Sequence, residues 1–356
     1  MPLDTVNIRP GIAILSVLSY LNYRPWFALA EFVDNALQSY LDNRDALEET
    51  DGQDARLRLE IEFDPNDEGR LVVRDNAAGI YESEYIRAFR PAEIPPDRSG
   101  LCEFGMGMKN AACWFAKQWS VRTTALGETA ERTISFDIDE IVNDSIEELA
   151  IATRSVASNN HYTELVLSNL HHVPYGKSIS KIKEHLASIY RVFQRLDAID
   201  LFFNGEKLSY EEPAILTASY YRDPASAQIV WKKDIDFDFG DGQRVYGFAA
   251  LRAKASTSSA GFALFRRNRL IQGSGDDTYR PEYIFGKTNS FRYQRLFGEL
   301  HLDGFEVSHT KDGFLWDEDE EPFLELLKEH LDSTPSQRHR LRETYPAIRG
   351  LTLSTV

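Results

Sequence analysis

Between Trp26 and Leu41 the apolar residues Leu29, Phe32, Val33, Ala36, Leu37 and Tyr40 recur at steps of three and four. That period belongs to an α-helix resting one face on a core. Inside it lies the run Ala30-Glu31-Phe32-Val33-Asp34-Asn35-Ala36. Glu31 and Asn35 stand one turn apart on a single face, away from the centre of the apolar stripe. A carboxylate and an amide oxygen held so close can handle a water and a hard cation, which suits metal-dependent hydrolysis of a phosphoanhydride. A solvated helix face also carries such a pair, so the run alone leaves both readings open.

The surrounding pattern is mixed. Strand periods occupy 57–63 and 71–73, a short helical pattern 85–89, and a stretch rich in proline and glycine runs from Arg90 to Gly107. A loop of that length is uncommon unless it serves as a lid or binding loop. Helical spacing over 111–116 and strand spacing over 119–124, 132–138 and 164–170 follow, then a helical pattern over 178–195. The second half is strand-rich, over 201–203, 229–239, 245–251, 262–265 and 297–302, before a helical pattern over 322–331. At 356 residues, about two domains are expected. The boundaries fall at 1–176 and 177–333, with a polar tail over 334–356.

Composition narrows the partners. A net charge of −16 argues against broad non-specific nucleic-acid binding and leaves room for a local basic patch. The densest basic run, Phe265-Arg266-Arg267-Asn268-Arg269, reads as a strand end with a solvated turn. No apolar run approaches the roughly 20 residues that span a bilayer, so no membrane partner is expected. With Cys102 and Cys113 the only cysteines and no signal-peptide layout at Met1-Pro2-Leu3-Asp4, a reducing, cytoplasmic location is expected.

Three further segments carry chemistry. In Val72-Val73-Arg74-Asp75-Asn76-Ala77-Ala78-Gly79-Ile80 a strand ends in Asp75 and Gly79 permits a tight turn. A carboxylate there can accept from an exocyclic amine such as adenine's, although a plain Asp-Asn turn reads the same way. In Ser99-Gly100-Leu101-Cys102-Glu103-Phe104-Gly105-Met106-Gly107-Met108-Lys109-Asn110-Ala111-Ala112 a glycine-rich loop runs into a helix. Its backbone amides make an anion cradle to which Lys109 adds a point charge. The spacing is neither the Walker loop nor the dinucleotide fingerprint. Finally, His161-Tyr162-Thr163-Glu164-Leu165-Val166-Leu167 turns into a strand, and Thr163 could assist Asp75 through a water.

In this order and spacing the segments resemble the GHKL ATPases, the superfamily of gyrase-type topoisomerases, heat-shock chaperones, histidine kinases and MutL. The resemblance implies an α+β chain: a two-layer α/β sandwich (the Bergerat ATP-binding fold) followed by an S5-like α/β transducer domain. It implies ATP and Mg2+ as ligands and ATP hydrolysis as the activity. Glu31 becomes the general base, Asn35 a ligand to Mg2+ and nucleotide, and Asp75 and Gly79 the adenine site. Gly105, Met106, Gly107, Met108 and Lys109 become the phosphate wrap, and Thr163 the last box. One departure is Ala77, where the adenine box usually has glycine. Ala costs little there unless a positive φ is required.

In the second half, Gly261 to Ile271, Phe297 to Asp303 and His309-Thr310-Lys311-Asp312-Gly313-Phe314 resemble the second domain of MORC-type ATPases. By that resemblance Lys311 reaches the γ-phosphate, and the chain becomes an ATP-switched clamp that dimerises when ATP binds, with DNA a candidate track. The alternatives are a MutL-like repair clamp and a scaffold that signals by ATP occupancy without useful turnover. The absence of an acceptor-His helical hairpin ahead of the boxes disfavours a histidine kinase.

Overall fold

The computed structural model describes residues 11–53, 55–91, 93–219, 224–240, 242–288 and 290–332. The expected tail over 334–356 lies outside them. The chain divides into two compact units. The first comprises residues up to Ala187 together with Phe193–Leu208, and the second Ser188–Val192 together with the chain from Ser209.

The helical period around Glu31 becomes one 18-residue helix. In chain order the first unit begins with α1 (Ile14–Val17), α2 (Pro25–Asp42) and α3 (Arg44–Asp51), followed by β1 (Leu57–Asp64) and β2 (Arg70–Asp75). Next come α4 (Tyr85–Phe89), α5 (Gly107–Phe115), β3 (Ala116–Thr124), β4 (Ala130–Asp137), α6 (Ile138–Asn143), β5 (Ile151–Ser155) and β6 (Tyr162–Leu170). The chain then runs through α7 (Lys177–Ile189) and α8 (Arg191–Arg195), whose facing ends over Ser188–Val192 belong to the second unit, and the first unit closes with β7 (Ile199–Phe203) and β8 (Glu206–Lys207). Pro25 opens α2 at a position where its missing N–H costs nothing.

Eight strands make one mixed sheet in the order β5-β4-β3-β6-β2-β1-β7-β8. Leu57, Leu59, Ile61 and Phe63 turn the inner face of β1 to the core with alternate residues outward, the two-fold period of a half-buried strand. On the outer face, Arg74 of β2 and Arg122 of β3 both donate to Glu164 of β6 between them, and Arg74 also pairs with Glu62 at 3.0 Å. Helices cover one face and a charge ladder the other, the expected two-layer α/β arrangement. Strand β7 pairs parallel with β1, Leu57 opposite Ile199. That pairing keeps β7, expected in the second domain, with the first unit, and most of α7 lies there too.

The second unit is a further α/β body. Its elements are β9 (Thr217–Ala218), β10 (Ile229–Val230), β11 (Lys232–Gly240), β12 (Gln243–Leu251), β13 (Gly261–Arg266) and β14 (Arg269–Gln272), then α9 (Glu282–Phe285), α10 (Phe291–Arg295), β15 (Leu296–Asp303) and α11 (Glu320–Asp332). Five strands pair in the order β11-β12-β15-β13-β14. Phe323, Leu327 and Leu331 of α11 share a core with Leu264, Leu300, Leu302 and Phe305.

The basic run is a strand end with a part-exposed turn, as expected, except at Arg269. Arg267 and Asn268 form a two-residue hairpin turn with φ of +51° and +65°, a twist that matches the flanking strands. This turns Arg269 inward, where it is 1% exposed and its Nη1 donates to the Lys311 carbonyl at 3.1 Å. Among the described residues no helix is long and apolar enough to cross a membrane.

Candidate nucleotide site

One helix collects most of the singled-out segments. Glu31 of α2 is buried, 3% exposed, against the start of α5. A Cβ on Gly107 would stand 2.1 Å from Glu31 Oε2, so the glycine is what lets the helix start meet the carboxylate. The solvated-face reading of Glu31 is thereby excluded. One turn on, Asn35 Nδ2 donates to the Glu31 carbonyl at 2.8 Å, and its Oδ1 accepts from Cys102 Sγ at 3.0 Å. At the next step along the same face, Gln38 Oε1 accepts from Leu101 N at 2.6 Å. Ser39 then donates its hydroxyl to the Gly79 carbonyl at 3.4 Å. The Gly100–Cys102 strap, the start of α5 and the Asp75–Gly79 turn thus all dock on α2.

Strand register builds the other wall. Asp75 ends β2 directly opposite Thr163 of β6, and Thr163 stands opposite Thr123 of β3. Thr123 is buried, and its hydroxyl lies 3.2 Å from that of Thr163 and accepts from Ile80 N at 3.0 Å. Gly79 has φ +78°, and a Cβ there would meet the Thr124 carbonyl at 2.0 Å, so no other residue fits this crossing. Ala77 is not among the residues of positive φ, so its methyl is tolerated in place of glycine.

Burial pushes the Asp75 carboxyl up to about 7, against the opposing pull of backbone N–H bonds from Ala77 and Thr163 and of nearby His161. The sign follows. Between the ordinary carboxylate value and 7 the folded chain holds this proton more tightly than the unfolded chain, so the group's contribution to stability falls as pH rises through that window. Above 7 the ionised carboxylate can accept from an amine. Affinity for an adenine nucleotide is therefore expected to weaken about tenfold per pH unit below 7. Titrating Kd from pH 5.5 to 8.5 in wild type and Asp75→Asn checks this, because the nucleotide's own phosphate titration persists in the variant and the Asp75 component disappears.

The phosphate-wrap residues fall into two groups. Gly105 packs on the Glu93 carbonyl, and Met106, Gly107 and Met108 are part-exposed at the start of α5, whose N-cap Met106 supplies no side-chain hydrogen bond. Leading amides without a side-chain cap suit an anion. Lys109 corrects the expectation: its Nζ donates to the carbonyls of Arg87 and Ala88, both at 3.0 Å, at the end of α4. Burial, with Arg87 nearby, pulls the ammonium down to about 8. In this conformation its charge serves α4.

Lys311 belongs to the second unit. It is buried at φ +52° in a loop between Val307 and Phe314, where Asp312 accepts from Ser308 Oγ at 2.6 Å and Thr310 Oγ1 at 2.8 Å. Four residues near the nucleotide segments have no site role in the sequence reading: Gln38, Cys102, Thr123 and His161. Gln38 had a signal, standing seven residues after Glu31 and therefore on the same helix face. The others are placed by strand and loop packing.

Residues 23–165 match the family model for histidine kinase-, DNA gyrase B-, and HSP90-like ATPases. No curated protein matches the chain. The match supports a GHKL-type ATPase fold for this segment and, at that coarse level, ATP binding and hydrolysis.

Proposed function

We propose that the protein is a Mg2+-dependent ATPase that uses ATP to switch conformation. The observation that carries the reading is the convergence on α2: Glu31 against the uncapped start of α5, Asn35 one turn away, and the adenine turn tied to Ser39. Asp75 accepts from the adenine amine, assisted by Thr163, and Gly79 keeps the turn close. Amides from Gly105 to Lys109 bind the phosphates. Glu31 orients and deprotonates the attacking water.

Mg2+ binds through few protein oxygens, with substrate phosphates and waters completing its shell. Asn35 Oδ1 is the oxygen assigned to it. When bound, the ion would neutralise phosphate charge. Lys311 is assigned the transition-state charge on the γ-phosphate, as the MORC-type resemblance implies. Clamp behaviour, an ATP-dependent homodimer and action on DNA belong to the same proposal.

Steady-state phosphate release with ATP and Mg2+, with and without DNA, tests the enzyme. Burst-free binding with no turnover would favour the scaffold reading instead. Light scattering with a non-hydrolysable ATP analogue should double the mass. A monomer at every concentration removes the dimer from the proposal.

A further inference from the structure

The adenine turn is gripped by a side chain with no role in the reading above. His161 precedes β6 and its side chain is 6% exposed. Its Nδ1 lies 3.1 Å from the Asn76 carbonyl and 3.0 Å from the Ala77 carbonyl. Carbonyl oxygens only accept, so Nδ1 carries a proton and donates to them. On the opposite edge Nε2 lies 3.2 Å from Asp51 Oδ2, at the end of α3. Asp51 thus stands on the ring edge facing away from the turn. The ring therefore bridges α3 to the turn, with Asp51 fixing its orientation.

The peptide it holds matters most. The Asn76 carbonyl and the Ala77 N–H belong to one planar unit, so fixing the oxygen fixes the direction of the N–H. That N–H donates to Asp75 Oδ1 at 3.0 Å. The grip on one side of the peptide sets the rotation of the group that aims the carboxylate on the other. We infer that His161, braced by Asp51, is a positioning residue for Asp75 and thereby helps set base selectivity. The inference rests on the adenine-site reading and assigns His161 no contact with the nucleotide.

Two substitutions separate donation from packing. The side-chain amide of His161→Asn can donate from near the Nδ1 position. His161→Phe keeps the ring volume and donates nothing. Equilibrium binding of ATP and GTP, with kcat at saturating ATP, is measured for both variants and wild type. Loss of a buried hydrogen bond predicts about a tenfold rise in Kd for ATP in the Phe variant. The ATP-over-GTP preference should fall with it and kcat stay within about threefold, while the Asn variant stays close to wild type. A Phe variant that binds as wild type does, or ATP and GTP weakened equally, overturns the inference alone. Wild-type protein that binds neither nucleotide overturns the adenine-site reading and the inference together. Should the Phe variant fail to fold, Asp51→Asn serves: a raised ATP Kd with reduced base selectivity supports the brace, and unchanged binding overturns it.

Discussion

Glu31→Gln is expected to lower kcat by about 10² to 10⁴, the range that a positioned general base supplies, while the Kd for ATP stays within about threefold. The substitution keeps the shape that meets Gly107, where even a methyl would stand 2.1 Å from the carboxylate oxygen. It removes only the capacity to take a proton from water. The positive end of α5 beside it favours negative charge at this spot, so the carboxylate and a bound phosphate compete for one dipole. Phosphate release and equilibrium binding, measured together on the variant, check the assignment. Wild-type turnover would remove Glu31 as the base. Loss of binding in step with turnover would make it a binding residue, because an interaction confined to the transition state changes kcat and leaves ground-state affinity alone.

The ATP-binding half was legible where chemistry and period coincide. The three-and-four spacing located α2 to within a residue of its ends, and the alternation Leu57, Leu59, Ile61, Phe63 located β1. Short elements with little buried surface left no period. All five residues of β5 are exposed, and α3 buries only Leu47 among eight. Position in space was harder to read than type. The run around Glu31 left its burial open because nothing local reveals that α5, some seventy residues on, covers it. Lys109 follows a glycine-rich loop at the start of α5, yet the orientation of its long side chain is set by the carbonyl ends of α4. Arg269 looked solvated because the positive φ at Arg267 and Asn268 that turns it inward is a hairpin property. The parallel pairing of β7 with β1 bridges about 140 residues in sequence, beyond the reach of any local pattern.

Glu299→Ala should be the most destabilising single change in the second unit, costing about 3–5 kcal/mol. Glu299 on β15 is 5% exposed and Arg191 4% exposed, with Arg191 Nε donating to Glu299 Oε1 at 2.6 Å. The guanidinium also donates to Ser188 Oγ at 2.8 Å and lies over the rings of Tyr210 and Phe265 at 4.3 and 4.8 Å. Those partners hold its plane in a buried position, so removing the carboxylate strands a charge away from water. Replacing both members by apolar residues, Arg191→Met with Glu299→Leu, should recover most of the loss, because desolvating the pair had already offset much of its attraction. Chemical denaturation of the single and double variants decides the matter. Equal destabilisation of the two would mean that packing, and not the stranded charge, sets the cost. A pair that contributes little net stability but penalises separation strongly acts as a register lock, holding Ser188–Val192 against β15 within the second unit.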